Sequence, residues 1–301
     1  MNKLLIIVLI ISLIGNVIGL FVFYKFWTLR GYFAEAERQI NSYRTTIDNL
    51  NEQVADLTGR LDRYTDNRMV FLHHSVGKGL LNDGGLRDQL LDMGILVKSA
   101  TYGDSLGEDT DMNHWAGKFN EKIDEIFHFR NHPNQYYEDG TSNDIIMFKS
   151  CFPNSDIVAE GEGFGDPNAA ERTIANYIAT FESLKDEMKK YPDKLFIYLT
   201  APPRHPEATN AEYAARARKF NDWLLKVFQP EYAKETGLNN FHVFDLFGVL
   251  SDDNNFLKKE YLRDRPQDSH PNEAGSKTAV SAFVKFFRPI WIEWQNRQET
   301  T

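Results

Sequence analysis

The residues best suited to chemistry lie in two short segments that are far apart along the chain. Near the carboxyl end, Asp268 precedes His270, and Pro271 follows just before a helical pattern begins. An imidazole held next to a carboxylate is suited to accept a proton from a nucleophile. The candidate nucleophile is Ser75, which comes shortly after the apolar, strand-like run Met69–His73. Together the two segments predict a serine hydrolase.

The rest of the carboxyl-terminal part contains the elements that would position these residues. Strand-like and helical runs alternate, a pattern typical of a parallel sheet covered by helices on both faces. The strand-like runs are Met69–His73, Ile95–Tyr102, Asp144–Lys149, Lys194–Leu199 and Asn240–Phe247, and the helical runs are roughly Gly79–Met93, Ala169–Lys190, Ala208–Val227 and Glu273–Phe287. Reactive residues of such sheets collect at the carboxyl ends of the strands. We therefore expect Ser75, Gly103, the turn Cys151–Ser155 and the loop Ala201–His205 to share one edge.

Four short blocks, in the same order, resemble those of the SGNH (GDSL-type) hydrolase superfamily over residues 68–290. The serine block is His-His-Ser-Val-Gly at 73–77, the glycine block spans 100–105, the asparagine block spans 148–156, and the histidine block is Asp-Ser-His-Pro-Asn at 268–272. The resemblance implies an α/β fold, a three-layer α/β/α sandwich with a mostly parallel five-stranded sheet that is SGNH-hydrolase-like or flavodoxin-like. It also implies an ester hydrolase that acts through an acyl-serine intermediate and needs no cofactor.

The resemblance assigns a role to individual residues as well. Ser75 would attack an ester carbonyl once His270 has accepted its proton, and Asp268 would orient the imidazole. The backbone amides of Ser75 and Gly103 and the side chain of Asn154 would form the oxyanion hole. Each residue also has an ordinary structural interpretation. Ser75 and Asp268 could be helix caps, His270 a helix-start residue, and Gly103 and Asn154 turn residues.

Three features depart from the pattern of the superfamily. The aspartate usually lies three residues before the histidine, where this chain has Gln267. The turn that contains Asn154 is longer than usual, and the serine block lacks its usual Gly-Asp. The chain also contains the literal sequence Gly-Asp-Ser-Leu at residues 103–106, which makes Ser105 a competing nucleophile. We favour Ser75, because the strand and serine turn that precede Gly103 would otherwise have no function.

Other polar and aromatic residues are weaker candidates for contact with a substrate. They are His74, Trp115, Arg204 and His205, and a surface or packing role is the ordinary interpretation of each. His73 and His74 do not suit a metal site, because adjacent residues of a strand point to opposite faces. The single cysteine, Cys151, excludes an intrachain disulfide and offers no cysteine cluster for a metal. We expect neither a metal nor a cofactor.

The amino-terminal segment is of a different kind, and we predict a membrane anchor within residues 1–28. Residues 4–24 are almost wholly apolar, and as a helix they would span about 31 Å, close to the thickness of a hydrocarbon core. A cleaved signal peptide is the alternative, but an aromatic and basic stretch follows the span, as at a membrane interface. Flanking charges do not fix the orientation. The resemblance favours a catalytic domain outside the cytoplasm, in the periplasm or at the cell surface.

A heptad pattern follows the anchor and predicts a coiled-coil stalk over residues 29–66. The first seam is Phe33, Ile40, Ile47, Val54 and Leu61, and the second is Ala36, Tyr43, Leu50, Leu57 and Tyr64. The pattern over residues 33–64 favours a parallel homodimer. The alternative is a single amphipathic helix that packs on the catalytic domain, which we assign to residues 67–298.

These observations lead to one preferred function and two alternatives. A formal net charge of −9 argues against a nucleic-acid-binding protein, which would need a basic face. We predict a membrane-anchored serine ester hydrolase that acts on an acylated envelope polysaccharide, a lipid ester or another small ester. The same residues would serve an O-acyltransferase that passes the acyl group to a sugar. Because the serine and aspartate blocks are altered, a catalytically silent binding or scaffold module is the second alternative.

Overall fold

The computed structural model describes residues 25, 30, 32–33, 35–53 and 67–298. The chain divides into two units, Met1–Tyr64 and Thr65–Thr301. In the first unit residues 35–53 form a helix, α1, on which Ile40, Tyr43, Ile47 and Leu50 are all exposed. Among the residues described, no helix is both long enough and apolar enough to cross a bilayer. The predicted anchor at residues 4–24 and the end of the heptad pattern lie outside the described residues.

The second unit is built on a five-stranded sheet in which every pair of neighbouring strands is parallel. Its strands are β1 (Asn67–Leu72), β2 (Ile95–Ala100), β5 (Ile145–Lys149), β6 (Leu195–Leu199) and β7 (Phe241–Phe244), in the order β2-β1-β5-β6-β7. Two short strands, β3 (Phe129–Asn131) and β4 (Gln135–Tyr136), form a separate antiparallel pair. After β1 the chain forms β2 on one side of β1, and it later forms β5 on the opposite side of β1. The carboxyl ends of β1 and β5 therefore flank a topological switch point, where α/β proteins bind ligands.

Helices cover both faces of the sheet, as the alternating pattern predicts. Val70 and Leu72 of β1 face one core, and Met69 and Phe71 face the other, because successive strand residues point in opposite directions. The first core includes residues of α4 (Met112–His128), α5 (Ile174–Met188), α6 (Ala211–Trp223) and α7 (Gln229–Thr236), with a π-helical turn, Leu224–Phe228, between the last two. The second includes residues of α2 (Ser75–Leu81), α3 (Leu86–Leu91), α8 (Leu246–Leu250) and α9 (Glu273–Gln298).

Some elements differ from those that the sequence pattern predicts. The helix expected over Gly79–Met93 is two helices, because the chain turns at Gly84 and at Gly85, whose φ is +75°. A Cβ at Gly84 would lie 2.6 Å from Val280 of α9, so the turn also allows close packing. Helix α4 was not predicted, and α9 continues past Pro289 to bury two tryptophans, Trp291 and Trp294.

Candidate active site

The turn that holds Ser75 is fixed by the buried side chain of His73. The backbone N–H of His73 donates to the carbonyl of Ala100 at 3.0 Å, so pairing with β2 continues one residue beyond the strand. The His73 ring Nδ1 lies 2.7 Å from the carbonyl oxygen of His74, and Nε2 lies 2.7 Å from Ser99 Oγ. Since a carbonyl only accepts, Nδ1 carries the proton and Nε2 accepts from the serine hydroxyl.

Close packing against this ring explains the glycine in the serine block. A Cβ on Gly77 would lie 2.4 Å from Cβ and Cγ of His73, well inside van der Waals contact. Burial lowers the pKa of His73 from 6.5 to about 3, although the hydrogen bond to the His74 carbonyl opposes this shift. The ring is therefore neutral at physiological pH. His73 braces the turn, and Ser75 becomes the first residue of α2.

The structure brings together the three residues predicted to be catalytic. Ser75 Oγ lies 2.7 Å from His270 Nε2, and His270 Nδ1 lies 2.5 Å from Asp268 Oδ1. The backbone N–H of His270 donates to the same Asp268 oxygen at 3.0 Å. A carboxylate accepts only, so it fixes the proton on Nδ1 and leaves Nε2 to accept the hydroxyl proton of Ser75. This chain of hydrogen bonds is the arrangement that general-base activation of a serine needs.

The carboxyl group of Asp268 is suited to carry a negative charge. Burial raises its pKa, but the hydrogen bonds from the His270 backbone and ring, together with the charge of Arg263, outweigh this effect, so the pKa lies below its ordinary value. In the superfamily the aspartate lies three residues before the histidine, and in this chain that position is Gln267. Its φ is +59°, and the next residue, Asp268, supplies the carboxylate instead.

Two of the predicted oxyanion-hole donors are hydrogen-bonded elsewhere. The N–H of Gly103 donates to Glu108 Oε1 at 2.8 Å. The Asn154 side chain donates to Asp111 Oδ1 at 2.7 Å and to the Cys151 carbonyl at 3.2 Å, and its oxygen accepts from the Met112 N–H at 2.9 Å. Asn154 therefore secures the start of α4. The predicted donor role of its side chain is not supported by this geometry, because the 3₁₀ turn Phe152–Ser155 directs it towards α4.

The side chain that contacts Ser75 from β5 is Cys151, which the sequence analysis assigned to no functional role. Its Sγ lies 3.7 Å from Ser75 Oγ. The position follows from the fold, since β5 ends at Lys149 and the next residues lie across the switch point from the end of β1. The neighbouring Phe152 packs edge-on against the His270 ring, with ring centroids 4.9 Å apart. The position of Cys151, two residues after a buried strand, was the one sequence feature that could have indicated this contact with Ser75.

Lys149, the last residue of β5, is fully buried. It lies on the same face as Met147, since strand residues two apart point the same way. Its Nζ has no hydrogen-bond partner in the part of the chain that the structure describes. Burial lowers the pKa of its ammonium, and the electrostatic interaction with Cys151 opposes this shift. The positive charge of Lys149 also acts on the rings of His73 and His74, beside the serine turn.

Of the weaker candidates for substrate contact, His74 lies at the rim of the site. Its ring stacks on Tyr102 with centroids 4.0 Å apart, and its Nε2 lies 2.7 Å from the carbonyl oxygen of Gly107. Tyr102 itself is 53% exposed. Trp115 was assigned incorrectly. It is buried in the core on α4, where its indole N–H donates to Ser150 Oγ at 2.8 Å, so it is a packing residue.

The two candidates in the loop after β6 hold other parts of the site in place. Arg204 forms an ion pair with Asp156, and its guanidinium lies 5.8 Å from the centre of the Phe152 ring. His205 is buried, and its backbone N–H donates to the hydroxyl of Ser269 at 3.0 Å. Because Ser269 lies between Asp268 and His270, this bond anchors the histidine block. His205 therefore has a structural role, and its position does not support the predicted contact with a substrate.

The competing nucleophile has a different environment. Ser105 Oγ lies 3.0 Å from the hydroxyl of Tyr136, and its N–H donates to Asn134. A tyrosine hydroxyl is not a base at neutral pH, and no histidine hydrogen-bonds to Ser105 among the residues described. The described residues also contain no group of three or more histidine, cysteine or acidic side chains suited to a metal ion. The geometry therefore favours Ser75.

Comparisons with known proteins give matches among solved structures. No family model matches the chain, and no curated protein matches it. A protein from Desulfitobacterium hafniense described as a lipolytic protein of the G-D-S-L family has 13% identity and a TM-score of 0.40, covering 73% of this chain and 98% of that one. A family 2 carbohydrate esterase from Clostridium thermocellum, solved with cellohexaose, has 8% identity and a TM-score of 0.42, covering 76% and 65%.

A carbohydrate esterase of the same family from Myceliophthora fergusii has 15% identity and a TM-score of 0.38, covering 73% of this chain and 64% of that one. Scores of this size say nothing about activity, which has to be inferred from the residues of this chain. Those residues lie at the expected places, with Ser75 after the first strand and Asp268 and His270 before the last helix. In the order of its elements and in these residues, the chain resembles the SGNH hydrolase superfamily, as its sequence predicts.

Proposed function

We propose that this protein is a serine ester hydrolase whose nucleophile is Ser75. The observation that carries the proposal is the unbroken series of hydrogen bonds from Ser75 Oγ through the His270 ring to Asp268, with distances of 2.7 and 2.5 Å. A serine that merely caps a helix has no need of a histidine oriented by a carboxylate. The arrangement is therefore better explained by proton transfer than by local structure.

The proposed reaction has two halves. In the first, His270 Nε2 takes the proton of Ser75 while Oγ attacks the ester carbonyl carbon, and the carbonyl electron pair moves to its oxygen. Collapse of this intermediate breaks the ester bond, and the departing alcohol takes the proton from His270. In the second, His270 removes a proton from water, which attacks the acyl-serine. His270 then returns the proton to Ser75 Oγ as the acyl–Oγ bond breaks and the carboxylic acid leaves. Asp268 stabilises the imidazolium in both halves.

A fluorophosphonate probe that reacts with activated serines tests this proposal. The wild-type protein should be labelled, and Ser75→Ala should remove the labelling completely. Ser105→Ala is the matched control, since it removes the other serine in a recognisable block, and it should leave labelling unchanged. Labelling that is lost only in Ser105→Ala would show that the nucleophile is Ser105. A wild-type protein that neither reacts with the probe nor hydrolyses activated esters would favour a silent binding module.

We further propose that the hydrolase domain is held at a membrane and acts on an ester in the cell envelope, on a polysaccharide or a lipid. The apolar residues 4–24 support an anchor, and the exposed Ile40, Tyr43, Ile47 and Leu50 at heptad spacing support a parallel two-stranded stalk. Apolar side chains in such a stripe gain stability when a second helix covers them. An extracytoplasmic domain on a stalk would meet envelope substrates rather than cytoplasmic metabolites.

A further inference from the structure

The proposed reaction needs a donor for the oxyanion, and the structure offers a side chain to which the sequence assigned no functional role. The backbone N–H of Gly103 donates to Glu108, and the side-chain amide of Asn154 donates to Asp111. The side chain that lies against Ser75 on the side of β5 is Cys151, with Sγ 3.7 Å from Oγ. Its position across the switch point is where the carbonyl oxygen of a bound ester could be reached from β5.

The direction of the hydrogen bond between the two side chains follows from the other contacts of Ser75. A serine hydroxyl has one proton, and the Ser75 proton is directed to His270 Nε2 at 2.7 Å, because Nδ1 donates to Asp268. The Oγ of Ser75 therefore acts as the acceptor towards Cys151, and the thiol S–H is the donor. A donor that points at the nucleophilic oxygen in the resting state can move to the oxyanion formed on the adjacent carbon.

Lys149 gives this thiol an unusual environment. Its side chain is fully buried, its Nζ has no hydrogen-bond partner among the described residues, and it lies at the end of β5, two residues before Cys151. A buried and unpaired ammonium destabilises the resting protein, since no group compensates for its lost hydration. The same charge stabilises negative charge that develops nearby, because the interior screens it weakly.

We propose that the Cys151 thiol is the side-chain donor to the oxyanion, and that Lys149 is a positioning residue that acts through it. This inference rests on the proposed esterase function. The oxyanion forms on the carbon that Ser75 Oγ attacks, so its oxygen lies two bonds from the atom that the thiol contacts now. A donor that already lies beside the nucleophilic oxygen needs only a small reorientation to stabilise the transition state.

Three variants, assayed for hydrolysis of p-nitrophenyl acetate, test the role of the thiol. Cys151→Ala should lower kcat about tenfold, less than the roughly hundredfold loss typical of an amide donor, because S–H is a weaker donor, and KM should change little. Cys151→Ser, which restores a donor, should lose only about threefold. Ser155→Ala is the control, since this buried serine of the same turn bonds to the carbonyls of Ala201 and Pro202. It should leave kcat unchanged.

A second measurement separates the role of Lys149 from ordinary packing. Lys149→Met keeps an unbranched side chain that is one atom shorter and removes the charge, so we expect thermal unfolding a few degrees higher, together with a kcat about tenfold lower. A purely structural lysine would change stability and leave kcat alone. Equal kcat values for wild type, Cys151→Ala and Lys149→Met would overturn this inference and leave the esterase proposal standing. A wild type that hydrolyses no ester would overturn both.

Discussion

His73 should make the folded protein sensitive to acid, and the size of the effect can be worked out. Burial lowers its pKa from 6.5 to about 3 in the folded state. Between these values the unfolded chain binds a proton that the folded protein does not bind, so stability falls as the pH decreases. At about pH 5 the unfolded histidine is almost fully charged while the folded one is neutral. The loss relative to about pH 7.5 is about 2 kcal/mol.

The perturbation that isolates this effect is His73→Asn. The Asn side chain can place its amide near the position of Nδ1, so it can still donate to the His74 carbonyl, and it is smaller than the ring packed against Gly77. The variant should be less stable at neutral pH. Its loss of stability on going from about pH 7.5 to about pH 5 should nevertheless be smaller than that of the wild type by about 2 kcal/mol.

Urea unfolding at the two pH values measures both quantities. Carboxylates and the remaining histidines titrate in both proteins, so their contributions cancel in the difference. Ser155→Ala is a suitable control, because it removes a buried side chain that does not titrate and should lower stability equally at both pH values. If wild type and His73→Asn lose the same free energy of unfolding on acidification, the ring is protonated in the folded state and the reasoning fails.

Two other predictions concern the acid of the triad and the stalk. Asp268→Asn should lower kcat by about 10²–10⁴-fold with little change in KM, because the tautomer of His270 is no longer fixed. Steady-state kinetics on an activated ester measures this, and wild-type kcat in the variant would refute a role for the carboxylate. A fragment of residues 30–301 should sediment as a dimer and one of residues 67–301 as a monomer, because the exposed heptad side chains lie before residue 67. A monomer in both cases would refute the stalk.

The sheet could be predicted from the sequence because its strands are short, apolar runs buried on both faces. All five predicted strands are present, with ends that differ by up to three residues. Helix α4 was missed because it is interrupted at Lys122, which has non-helical φ and ψ values, and because glycine and charged residues obscure its apolar face. That omission explains the wrong assignment of Trp115, which was taken for a loop residue.

The triad could be predicted because its residues carry local markers. Ser75 follows a strand, and His270 lies between an acid and a proline at the start of a helix. Oxyanion donors have no such markers, since their role depends on where a side chain or an amide points after a turn. The contacts of Asn154 with Asp111 and of Gly103 with Glu108 join residues whose pairing no sequence pattern indicates.

Two polar groups that lower the stability of the fold lie at the carboxyl ends of β1 and β5. His73 is an imidazole that burial keeps neutral, and Lys149 is an ammonium for which the described residues provide no hydrogen-bond partner. Apolar side chains at these positions would be more stable on packing grounds alone. Departures from packing rules of this kind are expected at functional sites. They border the turn that brings Ser75 within 3.7 Å of Cys151. This argues against a silent module, because a silent module would have no use for polar side chains buried at this place.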